Sequence, residues 1–266
     1  MNNIVFGKYI PMDTLIHRLD PRAKLIAMFV IMIAIFIPAG FESYLLLGTV
    51  ILAAILLAKM PIKFVLKAFK PMIFMVCFLL LINILTIKEG QLLLSIGFLN
   101  IYSKALEQTF YIVVRLFLMV MLTTCLTATT KPLDLTLGIE YLLMPLKKIK
   151  VPAHEIAMMI SIALRFIPLI IEETMRIMNS QKSRGVDYEE GKLKDKVMAV
   201  LSLIVPLFTV AFQRADDLAN AMDARGYIPG KTRTRYKQLK FQMADYLLLI
   251  ICVALLAATF YIGTIV

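Results

Sequence analysis

YLLLIICVALLAATFYIGTI, running from Tyr246 to Ile265, carries no charged side chain. A helix needs about 20 such residues to cross the hydrocarbon core of a bilayer, where every backbone polar group must be satisfied within the segment. The stretch therefore reads as a transmembrane helix. Four more apolar runs stand upstream of it: Leu25 to Phe41, Tyr44 to Ala58, Met72 to Ile87 and Thr109 to Thr129. The first three are short and are expected to borrow flanking residues, with Lys24 and Lys59 reaching out to the interface. With 60% hydrophobic residues in a chain of 266, the fold class is an all-α integral membrane protein of about five spans.

Charge sets the sidedness. Lys8, Arg18, Arg22 and Lys24 precede the first span, the turn from Pro38 to Ser43 has no basic residue, and Lys59, Lys63, Lys67 and Lys70 follow the second. By the positive-inside rule the N-terminus faces the cytoplasm. The four lysines recur at intervals of four, four and three, so a helix there presents one cationic stripe suited to an anionic leaflet. Charge pattern alone fits a plain charged connector equally well. The loop from Lys88 to Gln108 faces outward and holds a small hairpin at Leu92 to Ile101, interrupted by Gly97. The net charge of +11 comes from such loops, which favours membrane topology over nucleic-acid binding.

Residues 130–242 hold 18 of the 29 basic and 12 of the 18 acidic residues, and are read as cytoplasmic. The expected organisation is thus residues 1–129 for four spans, 130–242 for a cytoplasmic segment and 243–266 for the last span. Two apolar stretches inside that segment, Ile156 to Ile171 and Val197 to Phe212, are each short and interrupted by a proline. We read them as long amphipathic helices at the inner surface, bent at Pro168 and Pro206.

Each of these helices closes on the same phrase. Ser183-Arg184-Gly185 and Ala224-Arg225-Gly226 lie 41 residues apart, and Pro168 precedes Arg176 by eight residues as Pro206 precedes Arg214. Glycine suits the left-handed residue that ends a helix, and an arginine beside a helix C-terminus gains about 0.3–1 kcal/mol from the dipole. That accounts for one such end. Two matched ends mark two equivalent docking points, where a guanidinium can pair with a partner carboxylate in bidentate fashion.

Other motifs carry less. Gly226-Tyr227-Ile228-Pro229-Gly230-Lys231-Thr232 has three residues between its glycines where a phosphate loop needs four. Asp216, Asp217 and Asp223 resemble one aspartate-rich helix of a membrane prenyltransferase, without the second acidic cluster that chemistry uses. Arg115, inside the fourth span, reads as a structural anchor facing the bundle, a partner or the outer interface. Cys77, Cys125 and Cys252 read as small buried hydrophobes, and His17 and His154 lack metal-ligand spacing. In His17-Arg18-Leu19-Asp20-Pro21-Arg22-Ala23-Lys24, Asp20 can cap the first helix and Pro21 fill its first turn.

This last stretch, together with Ala163-Leu164-Arg165-Phe166-Ile167-Pro168 and the two Arg-Gly ends, resembles the transmembrane T component of energy-coupling factor transporters. Ser183 stands where an alanine is usual. The resemblance implies a non-catalytic scaffold subunit in the plasma membrane of a prokaryote. Two ATP-binding-cassette ATPases of the EcfA and EcfA′ type would dock at Ser183, Arg184, Gly185, Ala224, Arg225 and Gly226. ATP and magnesium would reside in those partners, leaving this chain without a cofactor. A vitamin-binding S component would pack on the hydrophobic face, where seventeen methionines suit exchangeable partners. The alternatives are a conventional permease subunit forming its own translocation path and, third, an integral membrane transferase resting on Asp216, Asp217 and Asp223.

Overall fold

The computed structural model describes residues 9–37, 40–96, 99–144, 153–188, 192–228 and 239–265. Its described elements are α1 (Leu15–Arg18), α2 (Pro21–Phe36), α3 (Gly40–Leu57), α4 (Ile62–Phe69), α5 (Met72–Thr86), β1 (Leu92–Ile96), β2 (Leu99–Tyr102), α6 (Ser103–Thr129), α7 (Pro132–Leu143), α8 (Ala153–Ser183), α9 (Leu193–Ala224) and α10 (Met243–Ile265). The protein is an all-α membrane protein apart from the short antiparallel pair, in which Ile96 faces Leu99 and Leu92 faces Tyr102. This is the hairpin expected at that loop, although Gly97 lies outside the described residues.

Among the described residues, four helices are long and apolar enough to cross a membrane: α3, α6, most of α9 and α10. A fifth crossing arises if α4 and α5, bent by 43° at the break before Met72, count as one span. Of the run at Leu25 to Phe41, the part up to Phe36 lies in α2, a helix of only 16 residues, about 24 Å long at 1.5 Å per residue. The sequence reading placed α9 at the surface; its apolar half continues without a break into a polar half, which makes the helix long enough, as well as apolar enough, to cross a membrane.

The chain divides into two compact units. One comprises Gly7–Gly138 and Gln238–Val266, and the described part of the other lies within Ile139–Lys237. The first is a helical bundle whose core holds Ile35, Leu47 and Ile51, each almost fully buried, with Leu118 and Met121 of α6 and Cys252 of α10. Arg115 of α6 faces inward, donating to the Tyr44 hydroxyl at 3.0 Å and lying 5.5 Å from the Phe36 ring. An intramembrane guanidinium is thus held by a phenol and a ring face. Asn83 and Thr109 similarly join α5 to α6 by a 3.0 Å hydrogen bond.

The start of α2 is a polar node of this unit. Asp20 accepts from the Arg22 backbone at 2.9 Å, capping the helix, and its other oxygen pairs with the Arg22 guanidinium at 3.0 Å. That guanidinium also lies 4.6 Å over the Phe241 ring. Asp245, only 1% exposed, accepts from the Asp20 N–H and the Gln242 N–H, both at 2.8 Å. One carboxylate therefore serves the entrances of α2 and α10 together. Gly138 of α7 sits against this node so closely that a Cβ there would meet Leu25 at 3.1 Å.

Lys24 departs from the expectation. It is buried rather than reaching the interface, and its ammonium donates to the Thr129 carbonyl at 3.1 Å, the Thr130 hydroxyl at 3.3 Å and the His17 carbonyl at 3.3 Å. The C-terminus of α6 has unused carbonyls and the negative end of the helix dipole, which together satisfy a buried ammonium better than a longer reach to water. Cys125 and Cys252 are buried as expected, whereas Cys77 is exposed on α5.

Candidate functional site

The second unit contains the two long helices singled out from the sequence, packed on one another. Both run unbroken through their prolines: α8 contains Pro168 and α9 contains Pro206. Each proline removes one backbone donor, which marks the point where the ladder is weakest.

The ends of the helices are built alike. At the first, the Gly185 N–H donates to the Lys182 carbonyl and the Val186 N–H to the Gln181 carbonyl, each at 3.0 Å. At the second, the Gly226 N–H donates to the Asp223 carbonyl and the Tyr227 N–H to the Met222 carbonyl, each at 2.9 Å. This pair of crossed bonds is the Schellman ending, which satisfies two orphan carbonyls and requires a left-handed residue after the cap. Gly185 takes φ 85° and Gly226 φ 70°, values that would strain any residue with a Cβ.

The caps are therefore Arg184 and Arg225, and both are exposed together with the flanking Ser183, Gly185, Ala224 and Gly226. A Cβ added to either glycine would meet nothing within 4 Å. The small residues at these ends are thus not demanded by close packing inside the chain. What the chain presents is a matched pair of surfaces, each with a guanidinium flanked by residues that leave its approach open.

Within the helix pair lies a junction that sequence reasoning passed over. The Glu173 carboxylate, 14% exposed, lies 3.4 Å from the Arg176 guanidinium on its own helix and 3.9 Å from that of Arg214 on α9. These are the two arginines that stand eight residues after the prolines. A single acid thus serves both members of the repeated pair. The signal in the sequence was two matched basic positions with one glutamate three residues before the first. The Arg214 Nε is buried without a hydrogen-bond partner among the described residues, so Glu173 is the counter-charge that makes its placement tolerable.

The remaining sequence candidates do not assemble around these ends. Asp216, Asp217 and Asp223 are exposed along α9. The stretch resembling a phosphate loop begins at Gly226 and, from Pro229 on, lies outside the described residues. The apolar surfaces of the two helices are open: Met159 and Met175 on α8, and Met198, Val205, Phe208 and Phe212 on α9, are between 48% and 66% exposed. Patches of this breadth on a protein surface mark contacts with lipid or with another protein.

Residues 12–236 match the family described as CbiQ, cobalt transport protein. The energy-coupling factor transporter transmembrane protein EcfT of Bacillus subtilis (strain 168) is 43% identical over 262 residues, covering 98% of this chain and 99% of that one. EcfT of Lactococcus lactis subsp. cremoris (strain MG1363) is 44% identical over 250 residues, or 94% of each chain. EcfT of Ruminiclostridium cellulolyticum is 44% identical over 247 residues, 93% of this chain. The chain belongs to the EcfT family. It is a membrane component of an energy-coupling factor transporter, and its match to these relatives runs through both units, the helix pair with its Arg-Gly ends included.

Proposed function

We propose that this chain is the non-catalytic coupling subunit of the transporter. It links two ATP-hydrolysing partner subunits, docked at Arg184 and Arg225, to the reorientation of a substrate-binding membrane S component. The observation that carries the reading is the pair of equivalent Schellman ends, each exposing a capping arginine with the same backbone bonds around it. A guanidinium on a rigid helix end pairs with a carboxylate in a socket through two parallel hydrogen bonds, and the helix transmits displacement of that socket along its axis.

The open apolar faces of α8 and α9 support contact with the S component and with lipid. ATP and magnesium belong to the partner ATPases in this scheme. The clustering of basic residues supports a cytoplasmic N-terminus and placement in the plasma membrane of a prokaryote. Pro168 and Pro206 are the proposed bending points between the membrane-facing and partner-facing halves.

The test is co-expression with a pair of cassette ATPases and co-purification in detergent. Wild type should retain both ATPases, and Arg184→Glu with Arg225→Glu should lose them while keeping its helix content by circular dichroism. Retention by the folded double variant would defeat the docking role.

A further inference from the structure

From Ser43 to Lys88 the chain contains no aspartate or glutamate, yet it carries Lys59, Lys63, Lys67 and Lys70 around α4. The rotation of α4 is set by packing. Val65 is buried in the core of its unit, and the Phe69 ring stacks on Phe117 of α6 with centroids 4.2 Å apart. At about 100° per residue, Lys63, Lys67 and Lys70 fall on one line on the opposite face. All four lysines are exposed, and among the described residues none makes an ion pair.

The surroundings of the stripe identify what it faces. The α4 helix lies between α3, which is long and apolar enough to cross a membrane, and α5, from which it is bent by 43°. Counted with α5 as one bent crossing, α4 is its lysine-bearing end, and too few residues separate Leu57 from Met72 for four exposed ammonium groups to stand far from the headgroups. Leu66 beside the stripe is 60% exposed, and Ile73 and Phe74 at the start of α5 are 61% and 81% exposed. Ammonium groups directly above an open apolar surface match a lipid, in which a phosphate sits above acyl chains. A soluble acidic segment would cover the charges and leave that apolar surface bare.

We propose that α4 and its four lysines form a binding site for anionic phospholipid headgroups at this end of the bundle. Each lysine held near an anionic surface contributes about fivefold to binding, so the stripe confers a preference for anionic over zwitterionic lipid of more than a hundredfold when all four engage. Its site is separate from the Arg-Gly ends and does not rest on their docking role.

The test uses the full chain, purified in mild detergent and delipidated, with retained lipid counted by native mass spectrometry after addition of phosphatidylglycerol or phosphatidylcholine. Wild type should retain phosphatidylglycerol preferentially. Lys59→Gln, Lys63→Gln, Lys67→Gln and Lys70→Gln together should lose at least tenfold of that preference. Replacing Lys182, Lys192, Lys194 and Lys196 by glutamine removes the same charge elsewhere and should leave the preference intact. Equal loss in both quadruple variants, or undiminished preference in the α4 variant, overturns the proposal. If the α4 glutamine variant does not fold, the matching lysine-to-arginine variant decides: it should keep the preference, and its loss there overturns the proposal. Displacement of the bound lipid by polyglutamate with no lipid preference remaining would assign the stripe to a protein and equally overturn it.

Discussion

Asp245 holds two helix entrances with one carboxylate, and its removal should be among the most costly single changes in the bundle. Its oxygens accept from the N–H groups of Asp20 and Gln242 at 2.8 Å each, and the first of these bonds is buried. In Asp245→Ala the Asp20 N–H is left without a partner or access to water, which costs about 1–3 kcal/mol. The half-buried Gln242 N–H adds roughly 1 kcal/mol, because the third residue of α10 no longer reaches back to its cap. A loss of about 3 kcal/mol corresponds to a change of more than a hundredfold in the unfolding equilibrium. Asp245→Asn keeps one acceptor and turns an N–H₂ toward the other donor, so it should lose about half as much. Unfolding is measured by titration with sodium dodecyl sulfate, read as the reaction of a thiol dye with Cys125 and Cys252, which are 8% and 2% exposed. Exposed Cys77 is first replaced by alanine. Asp13→Ala, which removes a solvent-exposed pair with Arg18, is the control and should change nothing measurable. If Asp245→Ala unfolds within twofold of wild type, the two N–H groups have other partners and the account of this node is wrong.

Two further outcomes are expected. Glu173→Gln removes the counter-charge between Arg176 and Arg214, so spin labels at the exposed Asn179 and Asn220 should report a broader distance distribution than in wild type, whereas Glu172→Gln should not. His17 is held below the usual histidine pKa chiefly by burial, with the nearby Lys24 ammonium adding to the effect against backbone acceptors at Ile10 and Ala128. Its Nε2–H donates to the Ile10 carbonyl and its Nδ1 accepts from Thr14, so the folded state favours the neutral ring. Between the folded and unfolded pKa values the unfolded chain binds more protons. The stabilisation is therefore complete above about pH 6.5 and is lost as pH falls through the folded value. Detergent resistance should drop from pH 7.5 to pH 5.5, and His17→Asn should flatten that drop; an unchanged slope would rule out His17 as its source.

Features legible in the sequence were those with local causes. The charge-free run at Tyr246 to Ile265 became α10, and Asp20 with Pro21 opened α2 as a cap and first turn. The two glycines ended α8 and α9 at Ser183 and Ala224, because a left-handed residue is a property of the chain at that point. What escaped was set by distance along the chain. Lys24 looked like one more interfacial cation because two of its three acceptors lie 105 and 106 residues away at the end of α6. Asp245 looked like an acid at the margin of a span because its buried donor is 225 residues distant. Glu173 was one of several charges on a polar face until folding placed Arg214 opposite it.

The repeat itself is inexact in a way that bears on docking. From Pro168 to Gly185 is 17 residues, and from Pro206 to Gly226 is 20, although each proline precedes its arginine by the same eight. Three extra residues of helix add about 4.5 Å of reach and rotate the end by about 300°. The cap geometry is conserved between the copies while the distance from the Glu173 junction to the cap is not. Two identical sockets related by symmetry would call for equal arms; unequal arms with identical tips suit two sockets that share a recognition chemistry and differ in position. Under the docking reading, the two tips therefore meet one recognition chemistry at two positions; that the pair comprises two different subunits is what the family resemblance implies.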